Sequence, residues 1–448
     1  MPQSVKYSFF WFRRDLRLED NKALYFALKS GYPVIPVFIF DLNILEQLEE
    51  KSDARVQFIH RELGGIKKKL NELGSDLKVV IGRPVEVWEE LIRKFNIAEV
   101  YTNRDYEPYA VKRDAEVEEF FKNKGIAFKT FKDHLITEAG EVMKDDGHPY
   151  VVFTPYKRKW LEVVGGGLEA GSPLSESTFF STYSIESRMS QFAEINFNKK
   201  IPELDELGFL PSSISIPSRV VERKIIKDYD EKRNFPALDA TSRLGIHFRF
   251  GTLSIREKAA TASQLNETYL NELIWRDFYA QILAHFPRVE NGPFREKYDS
   301  IEWINDESQF EKWCKGQTGF PLVDAGMRQL NETGFMHNRV RMLTASFLAK
   351  HLLIDWRWGE AYFASKLLDY ELASNNGGWQ WAAGCGTDAA PYFRIFNPEL
   401  QLKKFDKNLD YVRKYVPEYG TENYPKPMVE HKEARKRCLE VYKKALDG

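Results

Sequence analysis

Over the first ~130 positions, short apolar runs alternate with amphipathic stretches. Residues 7–12, 34–40, 78–81 and 99–102 are apolar, aromatic or β-branched and read as strands, and 127–131 reads as a last one. Between them, 54–73 and 85–95 carry apolar residues at helical spacing. Strand, helix, strand in repetition predicts a parallel sheet covered by helices. No GxGxxG follows the first strand and no P-loop occurs in the chain, so this part lacks the usual dinucleotide and triphosphate fingerprints.

From 132 to 200 the pattern loosens. Three glycines stand in a row at 165–167, and 172–190 is rich in Ser and Thr. This predicts a long connector with some local helix. Beyond 201 strand signals nearly vanish, and 270–286, 322–333, 336–353 and 359–372 have helical spacing. The expected organisation is an α/β domain over 1–131, a connector over 132–200 and an all-helical domain over 201–448. The last segment, 431–446, reads as a charged surface helix.

Composition adds limits. A chain of 448 residues with 43% hydrophobic and 29% charged side chains is too apolar for wholesale disorder. No run approaches the roughly 18 apolar residues of a membrane span. The first residues, Met1 to Lys6, lead straight into an apolar run without the pattern of a signal peptide, so a cytoplasmic protein is expected. Cys314, Cys385 and Cys438 are far apart and odd in number, which indicates neither a disulfide framework nor a zinc cluster; no metal is expected. The net charge is −1, so nucleic-acid binding would have to come from local clustering. Seven of the ten tryptophans lie between Trp275 and Trp381, a concentration that directs attention to that stretch.

Glu272, Trp275 and Arg276 stand at i, i+3 and i+4, and Asn338, Arg341 and Met342 repeat the spacing. Each set falls on one helical face. Singly, each reads as an ordinary surface face. Together they suggest a ligand pocket, because polar and aromatic side chains inside a helical domain need partners. The segment from Leu372 to Pro398 reinforces this. Asn375, Asn376, Gly377 and Gly378 give a turn or helix-end signal. Trp379 and Trp381 follow; on a helix they would point about 200° apart and could not share a face.

At these residues the sequence resembles DNA photolyases of the cryptochrome/photolyase family, most closely the class I type acting on cyclobutane pyrimidine dimers. The resemblance runs from FWFRRDLR at 10–17 to just past Pro398. It is densest in NELIWRDFY (271–279), TGFPLVDAGMRQLNETGFMHNRVRM (318–342) and NNGGWQW (375–381). It implies that the helical domain holds FAD in a folded conformation, with the isoalloxazine at the base of a cavity facing DNA. Matched position by position, Tyr229, Thr241, Ser242 and Leu244 surround the phosphates and ribityl chain. Arg276 lies near the flavin, Arg341 and Asp369 form an ion pair beside the ring, and Asn375 faces flavin N5.

The resemblance further implies a dimer pocket of Glu272, Trp275, Asn338, Met342 and Trp381. The chemistry suits a flipped-out dipyrimidine: flat faces for two indoles, base edges for a carboxyl and an amide, and a soft thioether. Photoexcited reduced FAD would give an electron to the dimer and recover it after the ring opens. Trp379, Trp356 and Trp303 match a relay that reduces photoexcited oxidised flavin, while Trp313 and Trp358 read as packing residues. Arg233, Arg339 and Arg394 match positions near DNA phosphates, which would position the strand without reading sequence.

Two positions depart from the family pattern. Phe335 stands where some members carry Trp. The loop 286–292 lacks the Cys-Lys pair of folate-binding members, so folate is not expected as a second, antenna chromophore. A deazaflavin, another chromophore or an empty site stay open, and Glu107 is assigned none. The leading expectation is a light-driven repair enzyme of UV-damaged DNA, acting as a monomer. A cryptochrome-type blue-light photoreceptor is the alternative, while repair of the (6-4) photoproduct, the DASH subgroup and a dark flavin oxidoreductase rank lower.

Overall fold

The computed structural model describes residues 5–447; of the leading run, residues 1–4 lie outside the described residues. Five strands form one parallel sheet: β1 (Lys6–Phe12), β2 (Val34–Asp41), β3 (Lys78–Gly82), β4 (Asn96–Asn103) and β5 (Ala127–Phe131), in the order β3-β2-β1-β4-β5. Every strand expected from the apolar runs is present. The aromatic run of β1 is explained by its central place. Phe9 and Trp11 pack on one face with Val37 and Trp88, and Phe10 and Phe12 pack on the other with Leu24 and Leu63. Alternate side chains leave a strand on opposite faces, so both faces of this sheet are buried. The helices α1 (Ala54–Glu72), α2 (Pro84–Lys94) and α3 (Pro108–Asn123) supply much of the cover. Asp53 caps the first with its carboxylate on the Arg55 N–H, and Pro84 and Pro108 open the other two, where a missing N–H costs nothing.

The chain forms two compact units, and neither is a continuous stretch. One takes residues up to 138 together with 164–219 and 244–264; the other takes 139–163, 220–243 and everything from 265. The stretch expected as a connector, 132–200, is thus divided between them. It holds a regular helix, α4 (Phe153–Gly165), and three short 3₁₀ turns.

The second unit is helical, with no β-strand among its described residues. Its main helices are α5 (Glu267–His285), α6 (Pro321–Thr333), α7 (Asn338–Ser346), α8 (Trp356–Lys366), α9 (Leu372–Ala383) and α10 (His431–Asp447). Two expected spans need correction. The helix expected over 336–353 starts at Asn338, because His337 Nδ1 accepts the Arg339 N–H and caps it, and Phe347–His351 continue it as a wider π turn. The helix expected over 359–372 is two helices. Asp355 caps α8 ahead of Trp356, Leu367 is extended, and Leu372 opens α9. The C-terminal α10 is more than a surface helix, since Ala434, Cys438 and Tyr442 are buried in the core.

Candidate active site

Helix α5 is anchored at its start by Asn266, whose Oδ1 accepts the Tyr269 N–H at 3.0 Å while its amide donates to the Lys227 carbonyl and Asp230. One face then presents Glu272, Trp275 and Arg276. Arg233 donates from its guanidinium to the Glu272 carboxylate. Burial pushes that carboxyl above the ordinary glutamate range, and Arg233 opposes the shift. Arg276 pairs with Glu371 at 3.1 Å, just before α9, and both side chains are nearly buried.

The Asn-Asn-Gly-Gly sequence is not a turn. Asn375 to Gly378 lie inside α9, which ends at Gly384 with a left-handed φ of 91°. The glycines have packing reasons instead. A Cβ on Gly377 would lie 2.2 Å from the ring of Tyr279 on α5, so only glycine permits this close approach. A Cβ on Gly378 would meet nothing within 4 Å, so open space lies beside it. Asn375 donates from its amide to Glu360, to the backbone carbonyl at 3.1 Å and the carboxylate at 2.8 Å. Burial raises the Glu360 carboxyl, and the Asn375 bond works against that rise. As the helical geometry requires, Trp379 is buried at 2% exposure whereas Trp381 is half-buried.

Around these helices stand the other expected residues. Arg341 grips Asp369 through Nη2 at 2.9 and 3.1 Å and donates from Nε to the Met336 carbonyl. Phe335 lies between the guanidiniums of Arg243 and Arg341, 5.3 and 5.8 Å from its ring. Tyr229 meets Tyr269 edge-on, and the Tyr269 hydroxyl bonds Ser242 Oγ at 2.9 Å. Thr241 is half-buried, and Arg243 next to Ser242 takes a left-handed φ of 50°. Leu244 is buried in the first unit, where it precedes the helix Gly245–Arg249. Asn338 is exposed in the first turn of α7, with Met342 half-buried one turn on. Arg339 reaches Met342 Sδ at 3.8 Å, bonds Asn234 and covers the ring of Phe405. Arg394 is exposed.

The comparisons with known proteins fit this arrangement. Residues 8–174 match a family model described as DNA photolyase, and 269–422 match the FAD binding domain of DNA photolyase. A deoxyribodipyrimidine photo-lyase of Vibrio cholerae is 37% identical, over 97% of this chain and 99% of its own. The chain belongs to the DNA photolyase family. Among solved structures it is similar to a bacterial class III photolyase from Agrobacterium tumefaciens, with a TM-score of 0.85 and 32% identity over 100% and 99% of the two chains. It is also similar to an archaeal photolyase from Sulfolobus tokodaii with two FAD molecules, with a TM-score of 0.81 and 35% identity over 98% and 100%.

The residues present suit the FAD of a photolyase. Gly378 leaves open space on α9 one turn from Asn375. The buried Oδ1 of Asn271, beside Glu272 on α5, has no hydrogen-bond partner among the described residues and could serve a ligand. Arg276 and Arg341 each stand in an ion pair, with Glu371 and Asp369, and the Ser242 hydroxyl suits a phosphate oxygen. The loop without the Cys-Lys pair braces the helix beside it, since the Val289 carbonyl accepts the amides of Asn376 and Gln380 and so ties the loop to α9. Glu107, left unassigned from the sequence, is held in the first unit by Arg14 and Arg249.

The three tryptophans expected as a relay share the core of the second unit. Trp379 packs its ring on Gly359, where a Cβ would lie 2.1 Å away, and contacts Phe363 and Trp313 edge-on. Trp356 is buried at the start of α8, and Trp303 is half-buried against Tyr442. Trp313 is wholly buried and donates to the Thr344 carbonyl. Some functional neighbours escaped the sequence reading. Glu360 and Glu371 lie in the stretch 359–372, whose helical spacing marks its apolar positions and not these carboxylates. Gln380 sits inside NNGGWQW and could have been singled out there: it bonds Val289, Gly292, Asn376 and Phe294.

Proposed function

We propose that this protein is a light-driven deoxyribodipyrimidine photo-lyase, a carbon–carbon lyase that repairs cyclobutane pyrimidine dimers in UV-damaged DNA. The observation that carries the reading is the pairing of α5 and α9. The Gly377–Tyr279 approach sets the helix bearing Glu272 and Trp275 against the helix bearing Asn375, Trp379 and Trp381. When bound, FAD in its reduced, photoexcited form supplies one electron to the dimer and takes it back after the ring has opened.

The chain's own residues bind and orient. Trp275 and Trp381 offer flat apolar walls to the flipped bases, which a damaged pair yields at a cost of only a few kcal/mol. Glu272, its carboxyl raised by burial, offers a shared proton to a base edge, and the Asn338 amide offers a donor and an acceptor. Met342 gives an adaptable contact. Tyr229, Thr241, Ser242, Arg276, Arg341, Asp369 and Asn375 hold the cofactor. Trp379, Trp356 and Trp303 serve its reductive activation, not the repair step. Arg233, Arg339 and Arg394 hold DNA phosphates, which makes affinity salt-dependent. No helix among the described residues is long and apolar enough to cross a membrane. The protein acts as a cytoplasmic monomer in this reading.

The test uses the reduced holoprotein and an oligonucleotide with one thymine cyclobutane dimer. Thymine absorbance should recover under blue or near-UV light and not in the dark, and Glu272→Ala and Trp381→Ala should slow the recovery. Bound, photoreducible FAD without repair would overturn the enzyme reading in favour of a photoreceptor.

A further inference from the structure

The segment 150–153 opens α4, and its Phe153 lies flat on Trp275. The two rings are parallel to within 5°, with centroids only 3.7 Å apart. Aromatic pairs favour offset or edge-on arrangements, because their quadrupoles repel face on face. A nearly eclipsed sandwich is therefore held by its surroundings. Three bonds hold it here. Gln281 of α5 donates its amide to the Tyr150 carbonyl at 2.7 Å. Thr387 donates its hydroxyl to the Val151 carbonyl. The Phe153 N–H donates to Asp388 Oδ2 at 3.2 Å. Asp388 adopts a left-handed φ of 45°, a strained conformation for a non-glycine residue that aims its carboxylate at this N–H. Phe278 closes the box, edge-on to both rings at 5.8 and 5.4 Å.

We propose that Phe153 is a positioning residue for substrate recognition: it fixes the plane of Trp275 and reserves one face of that indole for the chain itself. The proposal rests on the reading that Trp275 walls the dipyrimidine pocket. A flipped base then meets an indole that Phe153, Phe278 and Tyr279 together keep from tilting, and little freedom is lost when it binds. The strap is bonded both to the helix carrying Trp275 and to the 387–388 turn that follows the helix carrying Trp381. It therefore sets the angle between the two walls, which is the feature a stacked, undamaged base pair cannot match.

The experiment is a double-mutant cycle on the FAD-loaded protein, read as the Kd for a dimer-containing oligonucleotide and the single-turnover repair yield at saturation. Phe153→Leu keeps the apolar volume and removes the flat face; Phe153→Tyr keeps the ring. Phe153→Leu should weaken binding about tenfold, with unchanged FAD content and unchanged yield per bound dimer, and Phe153→Tyr should bind as the parent does. In a Trp275→Ala background the Phe153→Leu effect should vanish. An additive effect in that background, or parental affinity in Phe153→Leu while Trp275→Ala weakens binding, overturns the proposal alone. A Trp275→Ala protein that binds as tightly as the parent overturns it together with the pocket reading beneath it. A Phe153→Leu protein that loses FAD or yield rather than affinity also overturns it, since that marks a merely structural residue.

Discussion

Arg233 holds Glu272: the guanidinium expected at a DNA phosphate and the carboxylate expected at the dimer are joined to one another. Arg233 therefore opposes the rise that burial gives the Glu272 carboxyl.

A pH dependence follows from this pair. Burial raises the Glu272 carboxyl and Arg233 lowers it, with burial the larger cause. A raised carboxyl favours the fold fully below the ordinary glutamate value of about 4.3 and loses that contribution as pH rises through the shifted value. Glu272→Gln, which cannot ionise, should gain thermal stability on the parent as pH climbs above that range. Arg233→Ala should lose more than the parent over the same interval, because it removes the opposing cation. Thermal melts of the three proteins between pH 4 and 8 check this, and parallel curves would refute it.

The neighbouring glycines of α9 should respond in opposite ways. Gly377→Ala drives a methyl into Tyr279 and should cost about 1–3 kcal/mol, as overpacking does. Gly378→Ala meets no protein atom and should gain up to about 1 kcal/mol of helix propensity in the apoprotein. It should nonetheless weaken FAD retention, because its methyl projects into the space beside Asn375. Denaturant titrations and flavin release under dilution separate the two effects.

Trp379→Phe should block light-driven reduction of oxidised flavin while leaving repair by chemically reduced protein near the parental rate. Flash photolysis and the dimer assay measure these separately. A parental photoreduction yield would remove Trp379 from the relay.

Lys350 lies in the π turn at 1% exposure, and its ammonium donates to the Arg394 carbonyl. Burial lowers its pKa from 10.5 to about 8. The unfolded chain thus binds more protons between these values, and stability should rise with pH across that window by about 3 kcal/mol. Lys350→Met lacks that proton equilibrium. It should be the more stable protein at pH 7, with the gap closing as pH approaches 10.5 in urea unfolding.

The sheet was legible because a doubly covered parallel sheet needs continuous apolar strands, and the run at β1 shows them openly. The helical periodicity of the second unit was equally plain. What misled was local chemistry read without tertiary packing. Asn375–Gly378 have the composition of a turn, but Gly377 is small because Tyr279 needs the space. The capping by Asp355 and the break at Leu367 shifted a helix that periodicity had drawn too far. Of the candidate site, the residues on α5, α7 and α9 could be named from the motif resemblance. Phe153 could not: it ends the short run YVVF at 150–153 in a loosely patterned stretch, and its partner Trp275 lies far along the chain.

The interleaving of the two units bears on how the protein is made. A nascent chain carrying all five strands still lacks two later stretches of its own unit, the last ending at residue 264. Meanwhile residues 139–163 have already emerged and must wait for partners such as Trp275, Asp277 and Gln281. Translation thus exposes a strap with no seat until α5 has been made. Pausing, temperature or a holdase chaperone during that interval should govern the yield of folded protein more than any feature of the finished site.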